Sequence, residues 1–406
     1  MINTFGERDH SVSLVPCDNY TEDVVKAAMT AAFAALGGLR KHLHGAETVA
    51  VKLNLVGAHE PVEAATTHPA LVRELCRELF DVGVTKVILG DSPGGAYTTA
   101  HLKEIYEKTG FAAMAPEFGG RVVLNDNLTV REVSNPEGKV LKSFQYAAWT
   151  DEADVILNFC KLKTHGMMNL TCATKNMFGM IPGMTKPQYH ARFPEAERFS
   201  DMLIDLGEYF HPVLNLCDAV ECMEGNGPTK GTPRHMGCLL VSEDPYALDV
   251  LAGYLIGFDL TSLPVQREAH ERGLGPKSVD EVVIVPDRKA ALSFRIEDFE
   301  TNTGSKSVLF GKGPFAGVTE FFMTHAFETH PGVNPESCIG CGRCASMCPQ
   351  KAITMDKDRK PVIDRKKCIR CFCCQEFCPV GAMKVKRTAI SHLLDAFSGK
   401  KTKNNG

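Results

Sequence analysis

The chain has 406 residues, 44 % of them hydrophobic and 23 % charged, with a formal net charge of −4; this excludes a disordered or fibrous chain and allows two or three domains. Residues 1–20 show no basic segment leading into an apolar one, and the most apolar stretch, 27–39, falls short of the roughly 18 residues a span needs, so neither a signal peptide nor a membrane span is expected. Sixteen cysteines in such a chain point to a reducing cytoplasm and to metal ligation rather than to a secreted disulfide scaffold.

From residue 48 to about 286, short β-branched runs alternate with helical patterns. This predicts an α/β domain over 1–330 with a mostly parallel sheet and flanking helices. Thr21 is placed to cap a helix running to residue 42. A strand at 49–55 precedes a helix over 69–81 opened by Pro69, then a strand at 86–89 and a helix from Thr98 or Thr99. After a strand at 122–124, residues 130–133 and 139–141 read as a hairpin around Asn135-Pro136-Glu137-Gly138. Strands at 154–159 and 213–217 flank a helix containing Thr171, Lys175 and Asn176 and closed by Gly179. The last strands are 238–241 and 281–285, and between them Asp244-Pro245 caps and opens a helix to residue 256. The alternation stops over 287–330, His330-Pro331-Gly332 and Asn334-Pro335 mark a linker, and 388–406 is a basic polar tail.

Cysteine is unevenly placed: seven residues are scattered before 337, and nine fall between Cys338 and Cys378. The nine belong to a repeat. Cys338, Cys341, Cys344 and Cys348-Pro349 recur thirty residues later as Cys368, Cys371, Cys374 and Cys378-Pro379, and such duplication indicates two pseudo-symmetric halves. Each copy is C-x2-C-x2-C-x3-C-P, the spacing that wraps three thiolates around one 4Fe-4S cube and sends the fourth to the other cube. One cluster is therefore expected on Cys338, Cys341, Cys344 and Cys378, the other on Cys368, Cys371, Cys374 and Cys348. A zinc site wants four cysteines per ion in two C-x2-C pairs, a poorer fit to two complete copies ending in Cys-Pro. Cys373, where the first copy has Arg343, is left over as a spare thiol or an alternative ligand. Residues 331–387 resemble the bacterial two-cluster ferredoxins, which implies a small α+β domain with hairpin strands near 352–355 and 361–363 and a role in one-electron transfer.

Net charge divides along the same line. From Gln350 onward 14 Lys/Arg stand against 5 Asp/Glu, a net of +9 that leaves −13 for residues 1–349. The basic residues are interleaved with cysteine and proline and no nucleic-acid motif accompanies them, so they suit an acidic redox partner protein rather than nucleic acid.

In the larger domain the loops after the strands carry the chemistry, because ligands in open α/β sheets bind outside the carboxyl ends of the strands. Lys52 and Asn54 share one face of their strand. Lys161, Lys163, His165, Lys175, His190 and Arg192 complete a cationic set suited to a carboxylate or phosphate. Asp91, Asp218, Glu221 and Glu224 could hold a divalent cation or act as acid and base. A lone lysine near a strand end is ordinarily a solvated charge, and Asp218 or Asp249 can simply cap a loop. Lys163, His165, Lys175, Asp91 and Glu224 are the catalytic candidates; Lys52, Asn54, Asn176 and Asn226 are the candidates for holding an unidentified cofactor. Met167, Met168, Met177, Met180 and Met184 read as core packing rather than metal ligands, and Cys160 and Cys217 as inert buried thiols near one another. There is no phosphate-binding G-x-x-x-x-G-K-[ST], and Gly311 to Gly317 has the wrong glycine spacing for a dinucleotide loop.

The chain is similar to the domain of unknown function 362 family of iron–sulfur-associated proteins. The resemblance rests on Val51-Lys-Leu-Asn, Gly90-Asp-Ser-Pro-Gly, Lys161-Leu-Lys-Thr-His-Gly running to Thr174-Lys-Asn-Met-Phe-Gly179, Glu224-Gly-Asn-Gly-Pro228 and Ser242-Glu-Asp-Pro. It spans about 45–260 and implies an iron–sulfur protein with no assured substrate. Three readings follow: an oxidoreductase passing electrons between the clusters and an anionic small molecule in the larger domain, an electron carrier whose larger domain recognises a partner, or a protein with structural clusters.

Overall fold

In the computed structural model, residues 9–301 and 329–386 are described. The core is a nine-stranded, mostly parallel sheet. Its strands are β1 (Ser11–Pro16), β2 (Thr48–Lys52), β3 (Lys86–Gly90), β4 (Val122–Leu124), β7 (Val155–His165), β8 (Asn169–Thr171), β9 (Leu214–Glu224), β10 (Thr232–Ser242) and β11 (Val283–Val285); β5 (Val130–Ser134) and β6 (Ser143–Ala147) pair separately as a hairpin. The order is β11-β1-β10-β9-β7-β2-β3-β4, with β8 added antiparallel to β7. The pairs β9/β7, β7/β2, β2/β3, β3/β4 and β1/β11 are parallel, and β10 runs antiparallel to both neighbours.

Period-two alternation sorts the strand residues into two cores. Leu157, Phe159, Leu216 and Val241 face the helices Glu22–Ala35, Pro69–Asp81 and Thr99–Lys108. Cys160, Leu162, Cys217 and Leu240 face the helix Pro245–Leu255. Asp244 caps that helix by accepting from Tyr246 N at 2.8 Å, with Pro245 in its first turn.

Several boundaries differ from expectation for local reasons. The first helix stops at Ala35, because Gly37 and Gly38 take φ of 86° and 95°, and a short helix resumes at Leu39–Leu43. Strand β7 runs on to His165 and the chain returns as β8, so only a four-residue helix, Ala173–Asn176, and a 3-10 turn, Met177–Met180, stand where a longer helix is expected. Met168, Met177 and Met180 are core residues as expected, whereas Met184 is 53 % exposed. The tail 388–406 and Gly311 to Gly317 lie outside the described residues.

The cysteine repeat forms a small α+β unit: β12 (His330–Val333) pairs with β15 (Met383–Lys386), and β13 (Ile353–Met355) with β14 (Pro361–Ile363), both antiparallel. Among the described residues no helix is long and apolar enough to cross a membrane.

Candidate functional site

The ends of β2, β3 and β7 open into a cavity of about 100 Å³. Asn54 follows β2, Asp91 follows β3, and Lys163 projects from the end of β7. Thr171, Lys175, Asn176, Lys186 and His190 complete this side, and Cys373, Glu376 and Phe377 from the second cysteine repeat close the other.

Alternation along β7 explains the lysines. Leu157 and Phe159 occupy the core on one face, and the same face continues as Lys161, Lys163 and His165, all 0 % exposed. A buried ammonium needs partners. Lys163 Nζ donates to Asn54 Oδ1 and to Ala65 O, each at 2.7 Å; burial, then the Lys175 and Lys161 charges, lower its pKa to about 7. Lys52 pairs with Asp91 Oδ1 at 2.9 Å and donates to Leu53 O and Asn176 Oδ1. Asp91 also accepts from Leu55 N at 2.7 Å. A Cβ on Gly179 would lie 2.1 Å from Asp91 Oδ1, so the ion pair occupies space that only glycine leaves free. Lys186 donates to Ser92 O, and burial brings its pKa down to about 7.

Three donors facing the cavity have no such partners. Among the described residues the Lys175 ammonium has no hydrogen bond or ion pair within 4 Å, and burial lowers its pKa. Thr171 Oγ1 and His190 Nδ1 are buried without hydrogen-bond partners, and burial holds His190 neutral, with a pKa near 3. An oxyanion in the cavity would satisfy all three.

His165 is a neutral imidazole by geometry. Its Nδ1 accepts from Met167 N and Met168 N at 3.0 and 3.1 Å, so the proton is on Nε2, which lies 2.9 Å from Glu376 Oε1. Burial lowers its pKa to about 4. Burial opposes ionisation of Glu376, but the contact with His165 and the nearby Lys175 charge hold it down at about 2.

The cysteine unit docks through loops of the larger domain. Gln375 Nε2 donates to Asn226 Oδ1 at 2.9 Å, Asn226 O at 3.0 Å and Gly227 O at 2.8 Å, while Asn226 Oδ1 accepts from Val385 N at 3.2 Å. The Phe372 ring covers Gly166. Within the unit the two copies repeat even in backbone: Gly340 and Gly342 have φ of 69° and 74°, and their counterparts Arg370 and Phe372 have 56° and 60°. Both copies donate a backbone N–H to the fourth sulfur, Ala352 N to Cys348 and Ala382 N to Cys378, at 3.2 Å.

The expected site residues thus fall into groups. Lys163, Lys175, Asp91, Asn54 and Asn176 meet at the cavity; Lys52, paired with Asp91, and His165, 2.9 Å from Glu376, stand behind it. Asn226 holds the cysteine unit instead, and Glu224 is turned away, accepting from Glu300 N at 3.0 Å and lying 3.9 Å from Arg234. The acidic residues do not share a metal site: Asp218 is committed to Lys161 at 2.8 Å, Glu221 to His235 at 2.7 Å, and Asp91 to Lys52. Sequence reasoning missed Lys186, Glu376 and Phe377 as neighbours of this cavity, because only the tertiary contact between distant segments brings them together.

The chain is 28 % identical over 282 residues to the thylakoid-associated protein sll1697 of Synechocystis, covering 66 % of this chain and 82 % of that one. Among solved structures it matches lactate racemase apoprotein from Thermoanaerobacterium thermosaccharolyticum, with 16 % identity, a TM-score of 0.34 and coverage of 53 % of this chain and 52 % of that one. It also matches a structural-genomics target from Thermotoga maritima, with 13 % identity, a TM-score of 0.32 and coverage of 54 % and 55 %. The chain spans about half the length of both. Residues 337–382 match the 4Fe-4S dicluster domain, which supports an iron–sulfur electron-transfer role for that part. Residues 49–253, half of the chain, match the domain of unknown function DUF362, and the protein belongs to that family.

Proposed function

We propose that the protein is an iron–sulfur oxidoreductase that exchanges electrons between two clusters in the cysteine unit and a small anionic substrate or cofactor in the cavity. The observation that carries this reading is the cavity's shared wall: Lys163, Lys175 and Lys186 face Cys373, which sits in sequence between Cys371 and Cys374.

The cysteines fit the clusters. Cys338, Cys341, Cys344 and Cys378 line one small hollow with Gly342 and Pro379, the ligand set expected from the repeat. Burial, then the neighbouring Cys371 and Cys348 sulfurs, raise the pKa of Cys368, and this nearness of Cys348 supports its assignment to the second group. Bound there, the clusters supply one-electron transfer. Lys175, Thr171 and His190 bind and orient the anion, Lys163 and Lys186 add charge and exchangeable protons, and the Lys52–Asp91 pair fixes the loop after β3. Electrons come from an external carrier; Lys351, Lys357, Arg359, Lys366 and Lys367 are exposed on the cysteine unit and suit an acidic redox partner.

The test is anaerobic purification with iron and sulfide analysis, mass spectrometry of any co-purified anion, and reoxidation of the reduced clusters by that anion. Lys175→Met should abolish reoxidation at unchanged iron content. Reoxidation that is indifferent to Lys175 and Lys163 substitutions overturns the assignment of the cavity.

A further inference from the structure

On the face of the sheet away from Lys163, three cysteines from three segments converge. Cys160 of β7 and Cys217 of β9 are direct partners in the parallel register. Cys172, the residue after β8, turns in beside them, its Sγ 3.6 Å from that of Cys160 and 3.4 Å from that of Cys217. All three sulfurs lie within 4.8 Å of one another, and the side chains are at most 1 % exposed. Asp249 fixes the turn that presents Cys172, accepting from Ala173 N at 2.7 Å, Thr174 N at 3.0 Å and Gln266 Nε2 at 3.0 Å.

Ordinary packing accounts for other cysteines of this core. Cys222 and Cys238 lie in the same apolar cluster, and burial pushes their thiols well up. Cys160, Cys172 and Cys217 differ in their convergence: three sulfurs from three segments turned to one point have the character of a soft-metal ligand set.

We propose that Cys160, Cys172 and Cys217 form a three-sulfur site for a thiophilic ion, copper(I) in type. The reasons are donor number and softness. Among the described residues no fourth ligand joins the group, which disfavours zinc with its four ligands. The group itself is sulfur alone, with the Asp249 carboxylate beside Cys172 and outside the group, which disfavours magnesium, calcium and manganese. None of the three cysteines is an expected cluster ligand or lines the cavity, although Cys172 follows Thr171, which does.

Because the sulfurs are sealed in the core, the ion must enter as the chain folds. The full-length protein is therefore produced in cells supplied with copper, purified without oxygen, washed with a copper(I) chelator, and assayed for copper and iron together. Expected are one copper per chain at undiminished iron content and X-ray absorption showing sulfur-only, three-coordinate copper. Cys172→Ala and Cys217→Ala should each lower retained copper by more than the roughly tenfold that loss of a supporting residue costs a metal site, while Cys222→Ala, truncated in the same core, keeps it. Thermal unfolding of each variant is recorded, and Cys172→Ser replaces any alanine variant that does not fold. Wild-type protein without copper, copper retained equally by the Cys172 and Cys217 variants, or copper gained only as iron is lost would overturn the proposal.

Discussion

The Phe377 ring lies so close to Gly94 that a Cβ at residue 94 would sit 2.9 Å from its Cε1. Gly94 belongs to the loop after β3 and Phe377 to the second cysteine repeat, so the contact joins the two parts of the chain beside the cavity. Gly94→Ala forces the ring or the loop to move, at a cost of about 1–3 kcal/mol for overpacking. The expected outcome is faster amide hydrogen exchange over residues 372–377 at unchanged iron content. Wild-type exchange in this variant would show that the ring is not held by the glycine.

Gln375 carries the polar half of the same dock. Gln375→Ala leaves Asn226 O and Gly227 O without their donor, and a buried polar group left unpaired costs about 1–3 kcal/mol. Denaturant unfolding of Gln375→Ala, Asn226→Ala and the double variant should show non-additivity, since both side chains belong to one network. Strict additivity would mean that the two act separately.

Crossed ligation makes a spectroscopic prediction. Cys348 belongs to the first repeat by sequence, yet its replacement by serine should remove the electron paramagnetic resonance signal of the cluster held by Cys368, Cys371 and Cys374. Cys378→Ser should affect the other cluster. Cys373→Ser, by contrast, should retain full iron content, because this thiol is outside both proposed ligand sets. Loss of the signal from the cluster of its own repeat in Cys348→Ser would refute the crossing.

Lys163 and Lys186 give anion binding a pH dependence. Both have folded-state pKa values lowered to about 7, so each carries its charge below that pH and loses it above. Affinity for a small carboxylate should therefore be greatest on the acid side and fall as pH rises from about 6 to 9, the bound anion itself shifting the midpoint upward. Calorimetric titration across that range checks the sign, and Lys163→Met should flatten part of the profile.

Much of the architecture was legible because it is local. The helix Pro69–Asp81 starts at its proline and follows its apolar period, and Asp244-Pro245 marks its helix without tertiary information. Strand β7 runs six residues past the expected end at 159, because Lys161, Lys163 and His165, loop-like in sequence, are buried by tertiary contacts. The helix Ala196–Phe210 went unread; its apolar face packs in a separate cluster with Tyr246 and Val265. The 4Fe-4S dicluster domain is legible because its cysteine spacing lies within one short segment. The grip of Gln375 on Asn226, 149 residues away, has no signature in either neighbourhood.

Under the proposed function, the closing of the cavity by Cys373, Glu376 and Phe377 would tie charge recognition to electron delivery. With these residues in place, an anion near Lys175 is attracted through a medium of effective dielectric about 20; with the larger domain standing alone, the same lysines would face water near 80, and the attraction would fall roughly fourfold. The larger domain by itself should therefore hold its ligand weakly, and the complete chain should hold it only where a cluster is beside it. An anion trapped far from its electrons is thus disfavoured by the same wall that brings them close.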